Sequence, residues 1–194
     1  MFTYHKLFFK PISAALAALL LATAAPVWAD NSIEFRLGVA LYETGNYEQA
    51  FYQFKSLAEK GNPDAQYNLG EMYRLGKGVA GNDQQAVAWY LKAANQGHAE
   101  AQYSLGMMYR KGNGVAQDFQ QAAEWFQKSA NQGLAWPQVY LGILYRDGKG
   151  VAKNYQQAKA WWQKVLAQPD TEDNAMPKEH ARKYLQHLSE TGIR

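Results

Sequence analysis

The sequence predicts an all-α protein, built as an α/α solenoid of antiparallel helix pairs with a C-terminal capping helix. Three observations predict it. One motif recurs three times at a period of 36 residues. Each copy divides into two apolar stripes at helical spacing, split by a Gly-x-Gly break. A last amphipathic stretch follows the final copy, where an array would otherwise expose an apolar end. Composition agrees with such a fold. The 194 residues are 47% hydrophobic and 14% aromatic, with a mean hydropathy of -0.48, which excludes a multi-span membrane protein and a disordered charged tail. The absence of cysteine excludes a disulfide framework, thiol catalysis, Cys-ligated zinc and iron–sulfur clusters.

The first segment is an address. Residues 1–29 carry the parts of a cleavable signal peptide: Lys6 and Lys10 in a positive leading region, an apolar run over 12–25, and Val27-Trp28-Ala29 with small residues where a signal peptidase reads. The run falls short of the roughly 20 apolar residues that span a bilayer, so no stable membrane insertion is expected after cleavage. Removing the segment takes two lysines and no acid, leaving 18 basic and 17 acidic residues. That balance provides no electrostatic footprint for nucleic acid. A cysteine-free exported protein needs no oxidative folding, so the periplasm is the expected compartment, with secretion as the alternative.

Residues 30–168 are expected to hold four repeats. Ala65-Gln66-Tyr67-Asn68-Leu69-Gly70 recurs as Ala101-Gln102-Tyr103-Ser104-Leu105-Gly106 and as Pro137-Gln138-Val139-Tyr140-Leu141-Gly142. Tyr73, Tyr109 and Tyr145 form the next column, followed by Gly-x-Gly-Val at Gly76, Gly112 and Gly148. Ala65, Leu69, Met72 and Tyr73 lie on one face of a first helix, helix A, which the glycines end. Helix B starts at a column of capping residues, Asn46, Asn82, Asp118 and Asn154, and carries Trp89-Tyr90, Trp125-Phe126 and Trp161-Trp162. It ends at Gly61, Gly97 and Gly133, with Pro169 in that place in the last copy. The first repeat is degenerate: Leu37-Gly38 lies 32 residues before Leu69-Gly70, so its connection is four residues shorter. Residues 169–194 are expected to form a linker and a capping helix over 177–191, with Pro177 in its first turn and Gly192 ending it.

The pattern Ala-x3-Leu-Gly-x2-Tyr-x2-Gly-x-Gly-Val, then Ala-x2-Trp-aromatic-x2-Ala-Ala, resembles the Sel-one-like repeat family, a relative of the tetratricopeptide repeat. The likeness covers residues 33 to about 168. It implies a right-handed superhelix acting as a protein-binding scaffold or adaptor, in bacteria often at the cell envelope or in host contact. In the related tetratricopeptide solenoids helix A lines the concave face. Carried over, the helix A positions that change chemistry between repeats become candidate partner contacts. They are Phe35, Val39 and Tyr42 in the first repeat, and Tyr67, Asn68, Glu71 and Arg74 in the second. The third adds Tyr103, Ser104, Met107 and Arg110, and the fourth Tyr140, Ile143 and Arg146. The arginine column suits bidentate pairing with carboxylates. Each arginine equally suits its own helix C-terminus or a neighbouring acid. The tryptophans, fixed on helix B, are expected to be core, and Trp136, at a helix start in one repeat only, to plug a local gap, with a partner contact as the alternative.

Catalysis has little support. There is no His-Glu-x-x-His, Gly-x-Ser-x-Gly or Ser-x-x-Lys motif, and the recurrent Gly-x-Gly loops follow helix C-termini, where the dipole disfavours phosphate. His180 and His187 lie seven apart on one helix face and need a third ligand to hold a metal. The expectation is an exported, periplasmic interaction module for a protein or peptide, non-enzymatic, without cofactor or metal. The alternatives are a peptidoglycan-associated enzyme or enzyme regulator, which needs a second acid beside Glu71, and a secreted factor that binds a host protein.

Overall fold

The computed structural model describes residues 27–191, with side chains from Ile33 onward. Among the described residues there are nine α-helices and no strand. The helices A are α1 (Val27–Glu43), α3 (Pro63–Leu75), α5 (Ala99–Lys111) and α7 (Ala135–Asp147). The helices B are α2 (Tyr47–Glu59), α4 (Asp83–Asn95), α6 (Phe119–Asn131) and α8 (Tyr155–Ala167), and α9 (Glu172–Glu190) closes the array. Each helix packs on the one before it, and α9 also touches α7. Residues 1–26 of the expected signal segment and Gly192 lie outside the described residues, and the expected Ala29–Asp30 junction falls in the first turn of α1.

The caps follow the sequence in three repeats of four. The Asn82 and Asn154 side chains accept from the amides of Gln85 and Gln157, and Asp118 accepts from Gln120 and Gln121. Asn46 does not cap α2. Its shorter connection turns at Gly45 (φ 81°), and its side-chain amide donates to Thr44 Oγ1 at 3.0 Å instead. Helix A has a capping column of its own, at Asn62 and His98, which accept from the amides of Ala65 and Ala101.

Within each pair, a glycine of helix A meets an aromatic ring of helix B. Gly38 faces Phe54, Gly70 faces Tyr90, Gly106 faces Phe126 and Gly142 faces Trp162. A Cβ on Gly106 would come within 2.6 Å of the Phe126 ring. Phe54, Tyr90, Phe126 and Trp162 are fully buried, so these contacts hold the centre of each pair. The second glycine of each Gly-x-Gly does the corresponding work between repeats. Gly114 has φ 67°, and a side chain there would strike the backbone at Asp83, the start of the preceding helix B. Only glycine suits both demands.

A second ladder ties repeat to repeat. Gln66, Gln102 and Gln138 on helices A each donate to a carbonyl near the end of the preceding helix B, at Ala58, Ala94 and Ala130, all at 3.1 Å. Gln96, Gln132 and Gln168, just past the helix B of the same repeat, donate to those glutamines and to Gly61, Gly97 and Gly133. Buried carbonyls and amides are thereby satisfied with the same geometry three times. Three of the four helix B tryptophans are core, as expected: Trp162 is fully buried and Trp125 and Trp161 nearly so, with Lys128 and Lys164 over the latter two rings, whereas Trp89 is only half-buried under Lys92.

The final helix departs from the sequence expectation. It starts at Glu172 on a Thr171 cap, and Pro177 lies inside it rather than in its first turn. Pro169 holds Gln168 extended (ψ 155°) and ends α8. Lys178, buried, then reaches back to the Gln168 carbonyl and pairs with Asp170 at 2.6 Å, fastening the short link. Trp136 packs on His180 of α9, as a local plug would.

Gly106→Ala tests the glycine–aromatic contact. Overpacking costs about 1–3 kcal/mol, against about 1 kcal/mol gained in helix propensity. Phe126 is fully buried, which places the cost in the upper part of that range, so we expect a net loss of about 1–2 kcal/mol in urea unfolding. Unchanged or raised stability contradicts the close approach.

Candidate interaction surface on helices A

The helix A side chains divide by what they touch. In the first repeat, Phe35 and Val39 pack against the core of α1–α3, and Tyr42 is buried in it beside Tyr47, with Lys77 over both rings. Asn68 is buried and donates to the Asp64 carbonyl at 2.8 Å. Tyr67 hydrogen-bonds with Ser104, and Tyr103 with Tyr140, so tyrosine contacts link α3 to α5 and α5 to α7. Tyr67 also stacks on His98 at 4.8 Å, and Tyr140 lies against Phe126 and Trp136. One aromatic row therefore crosses α5 and α7 and continues into α9 through Trp136, His180 and Tyr184, and Tyr67 of α3 joins it by its hydrogen bond with Ser104. Met107 and Ile143 are half-buried beside this row.

The three arginines share a column but not an environment. Arg74 is bound bidentately by Glu71, through Nε at 3.2 Å and an Nη at 2.6 Å. The Tyr90 hydroxyl donates to the same carboxylate, which is only 5% exposed. Arg146 pairs bidentately with Asp147, at 2.7 and 3.2 Å, and lies over the Tyr184 ring. It also borders an open cleft of about 380 Å³ between the 148–153 loop and α9, with Lys149, Lys153 and His187. Arg110 lies over the Tyr140 ring at 4.9 Å and has no acid partner among the described residues. Its Nε is buried and donates to nothing.

Electrostatics follow from these contacts. Burial pushes the Tyr67 and Tyr103 hydroxyls well above the usual tyrosine range, and the Glu71 carboxylate reinforces this at Tyr67. Tyr90 is pushed up by burial and then by Glu71. Hydrogen bonds to His98 and Arg146 hold Asp64 and Asp147 below the ordinary carboxylate value. Among the described residues no three His, Asp or Glu side chains group as metal ligands, and no helix is long and apolar enough to cross a membrane. The glutamine ladder and the helix A caps do not follow from the sequence pattern. Gln66, Gln102 and Gln138 are visible as a column, but their partners lie 30 residues further on.

The arrangement defines an α/α repeat scaffold, in which side chains join helices and one face of each pair is left to vary. The Sel1 repeat model matches residues 34–62, 63–98, 99–134 and 138–168, and the chain belongs to the Sel1 repeat family. A Sel1 repeat protein from Oxalobacter formigenes is 38% identical, with a TM-score of 0.66, over 69% of this chain and 55% of that one. A protective antigen of uropathogenic Escherichia coli strains, c5321, which displays an SLR fold, is 29% identical with a TM-score of 0.68, over 86% of this chain and 42% of that one. The sequence thus spans about half the length of these relatives or less. No curated protein matches it. Proteins of this family generally act as protein–protein interaction scaffolds.

The buried tyrosines predict an alkaline limit. Folded Tyr67, Tyr90 and Tyr103 keep their protons at pH values where the unfolded protein releases them. Stability is therefore complete below about pH 10, the ordinary tyrosine value. It falls as pH rises toward the raised folded values, by about 1.4 kcal/mol per pH unit for each tyrosine. Urea unfolding across this range should show the decline, and Tyr103→Phe should make it shallower by one proton. A pH-independent midpoint contradicts the burial.

Proposed function

We infer that this protein is an exported scaffold that binds a protein or peptide along a concave face formed by helices A, without catalysing a reaction. The observation that carries the reading is the aromatic row over α5 and α7, joined to Tyr67 of α3 through Ser104 and bordered by half-buried Met107 and Ile143. Such a strip offers apolar contact on rigid elements, with its tyrosine hydroxyls spent in joining neighbouring helices A, which suits selective binding. The columns of helix B, by contrast, repeat with little change, which suits packing. A hydrolytic reading centred on Glu71 is not favoured, because Arg74 and Tyr90 engage both of its oxygens. The signal-like segment 1–29 supports export, and c5321, described as a protective antigen, is a relative of a kind that a host encounters.

Two measurements test this. A photo-crosslinking residue at Met107 in living cells should yield a discrete adduct, and the same residue at Gln127 on helix B should not. Equal adducts, or none at either site, count against the helix A face. Intact mass of the protein recovered from a periplasmic extract should correspond to a polypeptide starting at Asp30. Recovery only in the cytoplasmic fraction with residues 1–29 attached defeats the export reading.

A further inference from the structure

The repeats contain their own control for the arginine column. At the position three residues before each arginine stand Glu71, Met107 and Ile143. This is the distance at which side chains on a helix meet, and Glu71 uses it to take Arg74 by Nε and an Nη. Arg146 has lost that acid but has Asp147 beside it. Arg110 has neither, since Met107 and Lys111 flank it at the same two places. A half-buried guanidinium with a buried Nε and no acceptor is costly to keep, yet stacking on Tyr140 holds it in one orientation. No acid among the described residues pairs with its Nη end, which is not among the buried groups.

We propose that Arg110 is the anchor for a carboxylate side chain, Asp or Glu, of the protein or peptide that occupies the helix A face. The proposal rests on the scaffold reading above. One planar cation matches one planar monoanion through two parallel hydrogen bonds. Phosphate is a poorer fit, because a dianion calls on several donors, and the negative end of the α5 dipole beside Arg110 opposes two charges more than the single charge of a carboxylate. The carboxyl terminus of a peptide is also a poorer fit, because such ends are captured by several backbone amides, and the α5 amides here are spent inside the helix. The acid's neighbours would lie on Met107 and Ile143, which offer half-buried apolar surface on α5 and α7. Met107 is flexible enough to adapt to them.

The test uses the full-length protein and two blocked tripeptides, acetyl-Leu-Glu-Leu-amide and acetyl-Leu-Gln-Leu-amide, followed by NMR at the arginine Nε–H groups and the methionine methyls. The Glu peptide should shift Arg110 and Met107 saturably and leave Arg74 and Arg146 unmoved. The Gln peptide should bind about tenfold more weakly or worse. Arg110→Met should remove that preference. Met107→Glu should abolish Glu-peptide binding by supplying within α5 the pair that α3 already has, and its thermal unfolding will show that it folds. Equal shifts from both peptides at Met107 overturn the carboxylate anchor and leave the groove standing. No shift at Met107 from either peptide overturns both readings. A response of Arg74 and Arg146 equal to that of Arg110, or stronger binding of inorganic phosphate, also overturns the anchor.

Discussion

An aromatic ring laid against a glycine sets the spacing of this protein. Where Tyr90, Phe126 and Trp162 cross Gly70, Gly106 and Gly142, the ring takes the volume that a side chain would fill, so the two backbones approach closely. Trp162 even reaches the backbone polar groups, with its indole N–H donating to the Val139 carbonyl at 3.1 Å. Close approach is what lets alanines dominate the rest of the interface: Ala86, Ala93, Ala122 and Ala158 are all fully buried. A larger residue at the glycine would push the pair apart and leave those methyl groups facing voids, where dispersion contacts are lost.

Pairs formed this way have no stability of their own to spare, because each exposes a second apolar face. The ties between repeats are therefore as uniform as those within them. The glutamine ladder joins the end of each helix B to the next repeat through buried carbonyls, and the second glycine of each loop rests on the start of the preceding helix B. Tyr73, Tyr109 and Tyr145 each bridge two neighbouring cores, and their carbonyls accept from the amides of Asn82, Asp118 and Asn154. In such an array stability is close to a sum of repeat and interface contributions, so the last repeat needs a cover. Helix α9 supplies it through Ala181, Tyr184 and Leu188, and Tyr184 stacks on Trp162 at 5.0 Å.

What is legible in the sequence follows from this uniformity. The period, the two helices per repeat and the buried aromatic of helix B (Tyr90, Phe126, Trp162) each show in three copies, and the composition of each column announces its role. Features present once are harder to read. Asn46 looks like its column but fails to cap, because the first connection is four residues shorter. The onset of α9 depends on Thr171 and on a buried Lys178, and neither belongs to a repeating column. The glutamine ladder is hidden for a different reason: both partners are polar, and burial of an amide pair is invisible without the fold. The environments of the arginines are likewise masked by the constancy of their column, although the change from Glu71 to Met107 is on view three residues away.

A repeating scaffold separates maintenance from recognition by the same rule. Positions that must satisfy two neighbours at once, such as Gly106 or Gln102, tolerate one solution and show it in every repeat. Positions free of that double duty can change singly, and a change that leaves a polar group without its partner marks a place where an outside molecule can complete it. Glu71 and Arg74 cancel within α3 and offer a partner little charge, and Asp147 does the same for Arg146. Between these two neutralised ends, Arg110 leaves one positive charge on a mostly apolar strip. A ligand meeting that strip would find its register set by a single ionic contact and its affinity by the apolar area around it. That combination gives a solenoid a preferred position on its partner without a deep pocket.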